Sequence, residues 1–250
     1  MKKKEDFFAK VREIFTENHL EEYLKDEILA KFYQLCDIML ETNEKMNITA
    51  ITDEDAVIAR HFADSLFLLK VGVESGTRIC DIGCGGGFPS FPIAIARPDI
   101  TVMGIDSTAK KIAYVNETAK KLGLENLTAI SARAEDISGA DGEYREKFDL
   151  VCARAVAAMP VLSELCLPFV KVGGRFVALK SKSAEDELNE SKKGILTLGG
   201  KIENVEKLTL IDHTLEEGSD AERTLITIRK VAKTPPKYPR PYAQIKKKHL

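Results

Sequence analysis

The chain has 250 residues, 44 % apolar and 30 % charged, with a formal net charge of −2. That balance builds a packed core and excludes a disordered chain, and the length suits one large α/β domain with or without an extension. No apolar run approaches the ~20 residues that span a bilayer, and Lys2-Lys3-Lys4 leads into an acidic amphipathic stretch without the apolar core of a signal peptide, so a soluble cytoplasmic protein with no membrane partner is expected. The five cysteines are odd in number and four lie in apolar runs, which fits reduced buried thiols. Cys80 and Cys84 lack a second ligand pair for zinc, so no metal is expected. The charge is unevenly spread. Eight of the 37 basic residues and none of the 39 acidic ones follow residue 228, which points to a polyanionic partner.

Residues 4–70 read as helices. Phe7, Phe8, Val11, Ile14 and Phe15 recur at three- and four-residue spacing, as do Ile28, Leu29, Phe32, Leu35, Cys36 and Met39, and then Val57, Ile58, Phe62, Leu66 and Leu69. A polar turn over 43–52 separates the last two stripes. From about Thr77 short β-branched runs alternate with helical stretches. Strands are predicted over 78–82, 101–106, 127–131, 148–153 and 175–179, with helices over 91–97, 109–122, 156–170 and 184–196. Such alternation predicts a doubly wound parallel sheet. Two late runs, 205–211 and 224–231, have no helix between them and suit an antiparallel hairpin at the sheet edge. Past Lys233 the proline pairs predict an extended basic tail. Three regions follow: helical over 1–70, a Rossmann-like core over 71–232 and the tail over 233–250.

The first strand runs into Asp81-Ile82-Gly83-Cys84-Gly85-Gly86-Gly87-Phe88-Pro89. Ligands of doubly wound sheets bind beyond the carboxyl ends of the strands, where glycines admit a close backbone approach. The dinucleotide pattern G-x-G-x-x-G fails in both registers, because Phe88 or Ser90 takes the third glycine's place. That argues against a nicotinamide-dependent oxidoreductase. The phosphate-binding G-K-[ST] ending is also missing. The remaining pattern, D-x-G-x-G-x-G, looks like the first motif of S-adenosylmethionine-dependent methyltransferases, with Gly83 and Gly85 against the cofactor. Asp106 ends the second strand where a carboxylate can accept from ribose hydroxyls. Ala134 and Glu135 follow the third, placed to edge the adenine. The fold class is therefore α/β, a Rossmann-like methyltransferase fold whose mostly parallel seven-stranded sheet has an antiparallel edge strand and an N-terminal helical extension.

The target is narrower than the class. The strand-four run Val151-Cys152-Ala153-Arg154-Ala155-Val156 lacks the Asn/Asp-Pro-Pro-Tyr of amino methylases, and Cys152 has no adjacent proline as a cytosine-C5 nucleophile would. A ring nitrogen with an in-plane lone pair, such as guanine N7, needs no general base, only alignment and charge stabilisation.

The chain resembles the ribosomal RNA small subunit methyltransferase G family, also called glucose-inhibited division protein B. The likeness is carried by Asn47-Ile48-Thr49-Ala50-Ile51, by Arg60-His61-Phe62-Ala63-Asp64-Ser65-Leu66, by the glycine turn through Pro92, and by Asp106-Ser107 with Lys110-Lys111. It continues through Arg133-Ala134-Glu135, Ala153-Arg154-Ala155 and Lys233-Thr234-Pro235-Pro236-Lys237-Tyr238-Pro239-Arg240. The turn Cys84-Gly85-Gly86-Gly87 departs from the family's usual Ser-Gly-Ala-Gly, and Ser90-Phe91 from its Gly-Ile. The resemblance implies N7 methylation of one guanine in 16S ribosomal RNA, at the position conventionally numbered 527, acting on the RNA or the 30S subunit and not on DNA. It also implies cofactor contacts at Gly83, Phe88, Ala134, Glu135 and Arg154. The lesser alternatives are a core aromatic for Phe88 and a structural ion pair for Arg154. Arg154, Lys180 and His61 are the candidates for positioning the target, with no residue cast as a general base. Arg60, His61, Lys180, Lys237 and Arg240 are the candidates for meeting RNA, although His61 could simply be a satisfied polar residue of the bundle. A monomer is expected. The competing reading is a ribosome-assembly factor that binds S-adenosylmethionine without turnover.

Overall fold

A computed structural model describes residues 1–181, 184–215 and 221–250. Seven strands form one sheet: β1 (Arg78–Ile82), β2 (Thr101–Asp106), β3 (Leu127–Ser131), β4 (Phe148–Arg154), β5 (Val170–Lys180), β6 (Gly200–Thr209) and β7 (Glu222–Lys230). Their order is β3-β2-β1-β4-β5-β7-β6. The first five are parallel, and β7 runs antiparallel to both β5 and β6. Strand order reverses between β1 and β4, so the crevice at their carboxyl ends is the natural ligand site. Asp106, Arg154 and Lys180 are the last residues of β2, β4 and β5, and all three line it.

Helices cover both faces, which is why β1 is apolar and buried on each side beyond Arg78. One face receives α1 (Lys4–Glu17), α2 (Asp26–Asn43), α3 (Glu54–Val57), α4 (Asp64–Leu66), α5 (Ser90–Ala96) and α6 (Ala109–Lys121). Here Phe7, Phe32, Phe62 and Phe91 share one core with Ile79, Val102 and Leu150. The helical region over 1–70 thus has no separate core; its apolar stripes close the sheet. The other face carries α7 (Ala134–Ile137), α8 (Met159–Cys166), α9 (Ala184–Thr197) and α10 (Tyr242–Lys247), where Leu162, Leu188 and Ile245 meet Cys80, Val151 and Phe176.

Four expectations change. The helix expected over 156–170 begins only at Met159, with Pro160 in its first turn. Residues 155–158 are loop, with Ala155 at φ +55°. Strand β5 is longer than 175–179, because Gly173 and Gly174 hide its start in the sequence pattern. Strand β6 starts at Gly200, five residues earlier than expected. The tail is not extended. Arg145 donates to the carbonyls of Thr234 (2.6 Å) and Tyr238 (2.9 Å), Ile245 is fully buried, and α10 lies against the core. No helix among the described residues is long and apolar enough to cross a membrane.

Candidate active site

The glycine turn is fixed against β2: Gly83 N and Cys84 N both donate to Ile105 O, at 2.7 and 3.1 Å. Gly83 has φ +74°, and a Cβ there would lie 2.5 Å from Val156. Gly87 has φ +88°, and a Cβ there would strike the Phe91 ring at 2.3 Å. Both positions need glycine. Beneath the turn Asp81 is fully buried. Its Oδ2 accepts from Ser90 Oγ at 2.6 Å, while Oδ1 has no partner. Burial pushes this carboxyl up to about 6, against the pull of Ser90 and Arg154. Ser90 and Phe91, two of the departures from the family pattern, thus have clear employment: one holds Asp81 and the other packs on Gly87.

Two hollows meet at this turn and share Gly83, Asp106 and Val156. The smaller, ≈ 280 Å³, is lined by Ser107, Ala134, Glu135, Leu165 and Tyr242. The larger, ≈ 690 Å³, holds Gly85, Phe88, Arg60, His61, Arg154 and Lys180. Between them Asp106 accepts from Gly85 N (3.1 Å) and Thr108 N (2.8 Å), leaving lone pairs for a diol. An apolar adenine-sized hollow, a carboxylate for a ribose, a glycine cradle and an orphaned buried acceptor suit S-adenosylmethionine, whose far end carries an ammonium.

The larger hollow is framed by a charge network. In α3–α4 the helix widens into a π turn over Ile58–Ala63, a distortion common at functional sites. Arg154 Nη1 donates to the Arg60 carbonyl and to Asp64 Oδ2, both at 2.9 Å, and Nη2 lies 3.3 Å from His61 Nδ1. Asp64 Oδ1 accepts from Arg223 Nε at 2.7 Å. The His61 ring stacks on Phe88 at 4.4 Å between centroids, and its Nε2 meets Thr49 Oγ1 at 2.8 Å. A guanidinium cannot accept, so Nδ1 is the acceptor and Nε2 carries the proton given to Thr49. Burial, then Arg154 and Arg60, pull His61 down to about 3. It is a neutral structural imidazole with both nitrogens engaged, unsuited to accept a proton from substrate.

Rossmann-like methyltransferases are the class that this strand order, turn and acidic β2 end define. The [4+2]-cyclase SpnF shares the fold with a TM-score of 0.54 at 17 % identity, over 80 % of this chain and 94 % of that one. Because that neighbour is a cyclase, fold alone does not give the reaction. The family model for rRNA small subunit methyltransferase G (GidB) matches residues 28–232. The protein named ribosomal RNA small subunit methyltransferase G in Acetivibrio thermocellus is 42 % identical over 217 residues, covering 87 % of this chain and 86 % of its own. Its namesake in Lactobacillus helveticus is 45 % identical over 220 residues, covering 87 % and 89 %. The chain belongs to the rRNA small subunit methyltransferase G family.

The residues singled out in the sequence fall into three groups. Gly83, Gly85, Asp106, Ala134 and Glu135 converge on the two hollows around the turn. Phe88, His61, Arg60, Arg154 and Lys180 line the larger hollow together. There Arg60 is also held by Asp212 (2.6 Å) and Thr214 (2.7 Å), and Lys180 by Glu187 (2.7 Å) and the Ala157 carbonyl (3.1 Å). The tail residues lie elsewhere. Lys237 is exposed, its ammonium 5.3 Å from the Tyr238 ring centre. Arg240 corrects the expectation of a phosphate contact: its guanidinium closes on Glu164, which is 1 % exposed, at 2.9 and 2.6 Å. A phosphate would have to break that pair. Tyr242, also in the tail, lines the adenine-sized hollow. Four charged lining residues had no assigned role in the sequence: Asp64, Lys111, Glu187 and Arg223. Asp64 and Lys111 stood inside family-like motifs, whereas Glu187 and Arg223 carried no local signal.

Proposed function

We propose that this chain transfers the methyl group of S-adenosylmethionine to N7 of a guanine in small-subunit ribosomal RNA. The observation that carries the choice of atom is that the groups around the Phe88–His61 stack in the larger hollow are unfit to take a proton. His61 is neutral and doubly bonded, Cys84 is buried with its thiol pushed well above the ordinary range, and Asp64 is held by two arginines. N7 needs no proton removed, so such a site suffices for it without using Glu187, whose Oε1 is unbonded, as a base. The bound cofactor supplies an electrophilic methyl on a sulfonium.

The chain's own residues supply position. Gly83 and Gly85 hold the amino-acid end, Asp106 the ribose, and Ala134 and Glu135 the adenine. The Phe88–His61 stack forms an aromatic wall of the target hollow, kept rigid by Arg154 and Thr49, and alignment of three atoms is the main source of rate. Five basic side chains, Arg60, Lys111, Arg154, Lys180 and Arg223, line the hollow against three acidic ones, which favours an RNA approach. Of the two tail residues expected to meet RNA Lys237 remains, and Lys111 joins Arg60 and Lys180 at the hollow. The working form is a cytoplasmic monomer acting on the RNA or the 30S subunit.

Transfer of a labelled methyl to under-methylated 30S particles and to deproteinised RNA, followed by mapping of the modified nucleotide, tests this. Label at guanine N7 is expected. Label at another atom overturns the choice of target, and cofactor binding without incorporation favours the assembly factor.

A further inference from the structure

We propose that Glu187, backed by Lys180, reads the Watson–Crick edge of the target guanine; this rests on the guanine-N7 function above and assigns the residue that selects the base. Three carboxylates line the larger hollow. Asp64 has one arginine on each oxygen, and Asp106 has one backbone N–H on each. Glu187 differs. Its Oε2 takes both the Lys180 ammonium (2.7 Å) and Met159 N (2.9 Å), and Oε1 has no hydrogen bond among the described residues. Lys180 Nζ donates to the Ala157 carbonyl and pairs with Glu187, which leaves one of its three protons. A free carboxylate oxygen therefore stands beside a free ammonium proton at the carboxyl ends of β4 and β5.

Guanine presents an acceptor, O6, beside two donors, N1–H and N2–H. Adenine presents the reverse. The pair matches guanine, with Lys180 donating to O6 and Glu187 Oε1 accepting from N1–H, while N7 stays open on the other edge of the ring. The match also strengthens during reaction. As the N7–methyl bond forms and the sulfonium bond breaks, the ring gains positive charge and N1–H becomes a better donor, its proton staying on N1. A carboxylate already in place binds that charge more tightly than it binds the neutral base.

Glu187 and Lys180 also hold the 157–159 backbone, so the test must separate reading from bracing. Glu187→Gln keeps an oxygen for Met159 N and turns an N–H2 group toward N1–H. Initial rates on under-methylated 30S particles are expected to show kcat reduced at least 30-fold, with KM for the particle, the S-adenosylmethionine Kd and Tm each nearly unchanged. Glu187→Asp should recover part of kcat. A Glu187→Gln protein with kcat within threefold of wild type overturns the proposal, as does one whose cofactor affinity and Tm fall in step with its rate. The wild-type product is digested in parallel. Methyl found away from guanine N7 there overturns the functional reading and this proposal together, whereas N7 methylation with an unaffected variant overturns this proposal alone.

Discussion

The two hollows at the glycine turn are built on different principles. The adenine-sized one is made mostly from strand ends that lie within about thirty residues of a neighbour in sequence, 82–83, 105–107 and 132–135, using backbone and small side chains. The larger one is a web of charges brought together over long distances: Arg154 reaches Asp64 across 90 residues, and Arg223 reaches it across 159. The first should tolerate lost polarity but not added bulk. The second should tolerate bulk but not a lost charge.

Gly83→Trp tests the first half and carries the largest expected effect. The side chain must enter the space of Val156 from a left-handed backbone, so S-adenosylmethionine affinity should fall at least 100-fold by calorimetry. Retained affinity would remove the turn from the cofactor site. Asp64→Asn tests the second half. It takes the shared carboxylate away from two largely buried guanidinium groups, a loss of about 3 kcal/mol. For a chain of this size that lowers Tm by roughly 6–12 °C, with cofactor affinity little changed. An unchanged Tm would make the network ornamental.

The halves also respond oppositely to acid. His61 is held down to about 3 in the fold, so the unfolded chain binds more protons between there and its ordinary value near 6.5. This residue's contribution is complete above about pH 6.5 and is lost as pH falls toward 3. Asp81 is held up to about 6 from 3.8, so its contribution is present at low pH and is lost as pH rises through 6. Each slope is at most about 1.4 kcal/mol per pH unit. In denaturant titrations from pH 4 to 6, His61→Gln minus wild type should therefore fall with pH, and Asp81→Asn minus wild type should rise. Parallel curves would contradict both assignments.

Sequence made the cofactor half legible because its parts are local. A glycine turn after an apolar strand, an acid about twenty residues on and a short run after the third strand are local features, and they single out Gly83, Asp106, Ala134 and Glu135. The antiparallel edge was legible for the same reason, from two β-rich runs with no helix between them. The target half was not. Nothing near Arg223 or Glu187 in sequence distinguishes it from a surface charge; their meaning comes from β7 and α9 bringing them to the hollow at the carboxyl ends of β4 and β5. The tail misled for a related reason. Its prolines forbid regular structure locally but do not stop Arg145 from fastening it or Ile245 from entering the core. His61 shows the converse: its motif was visible, but its neutrality comes from burial and then from Arg154, 93 residues away.

The smallest expected effect concerns RNA affinity and asks which basic residues are free to give it. Lys111 lines the larger hollow and has no hydrogen bond or ion pair among the described residues. Arg240 belongs to the basic tail but is closed on buried Glu164. A cation that meets a phosphate releases about one counterion, so Lys111→Ala should flatten the plot of log affinity against log salt by ~0.7 for single-stranded RNA. Arg240→Ala should leave that slope alone and lower Tm instead, because Glu164 is stranded in the core at a cost of about 3 kcal/mol. Filter binding across a salt series, with a melt of each protein, measures both. If the Arg240 variant flattened the slope and kept its Tm, the tail would be an RNA arm after all, and electrostatic attraction would no longer be confined to the target half. If the Lys111 variant kept its slope, that residue would lie off the RNA path, which would then have to enter from the Arg60 and Lys180 side.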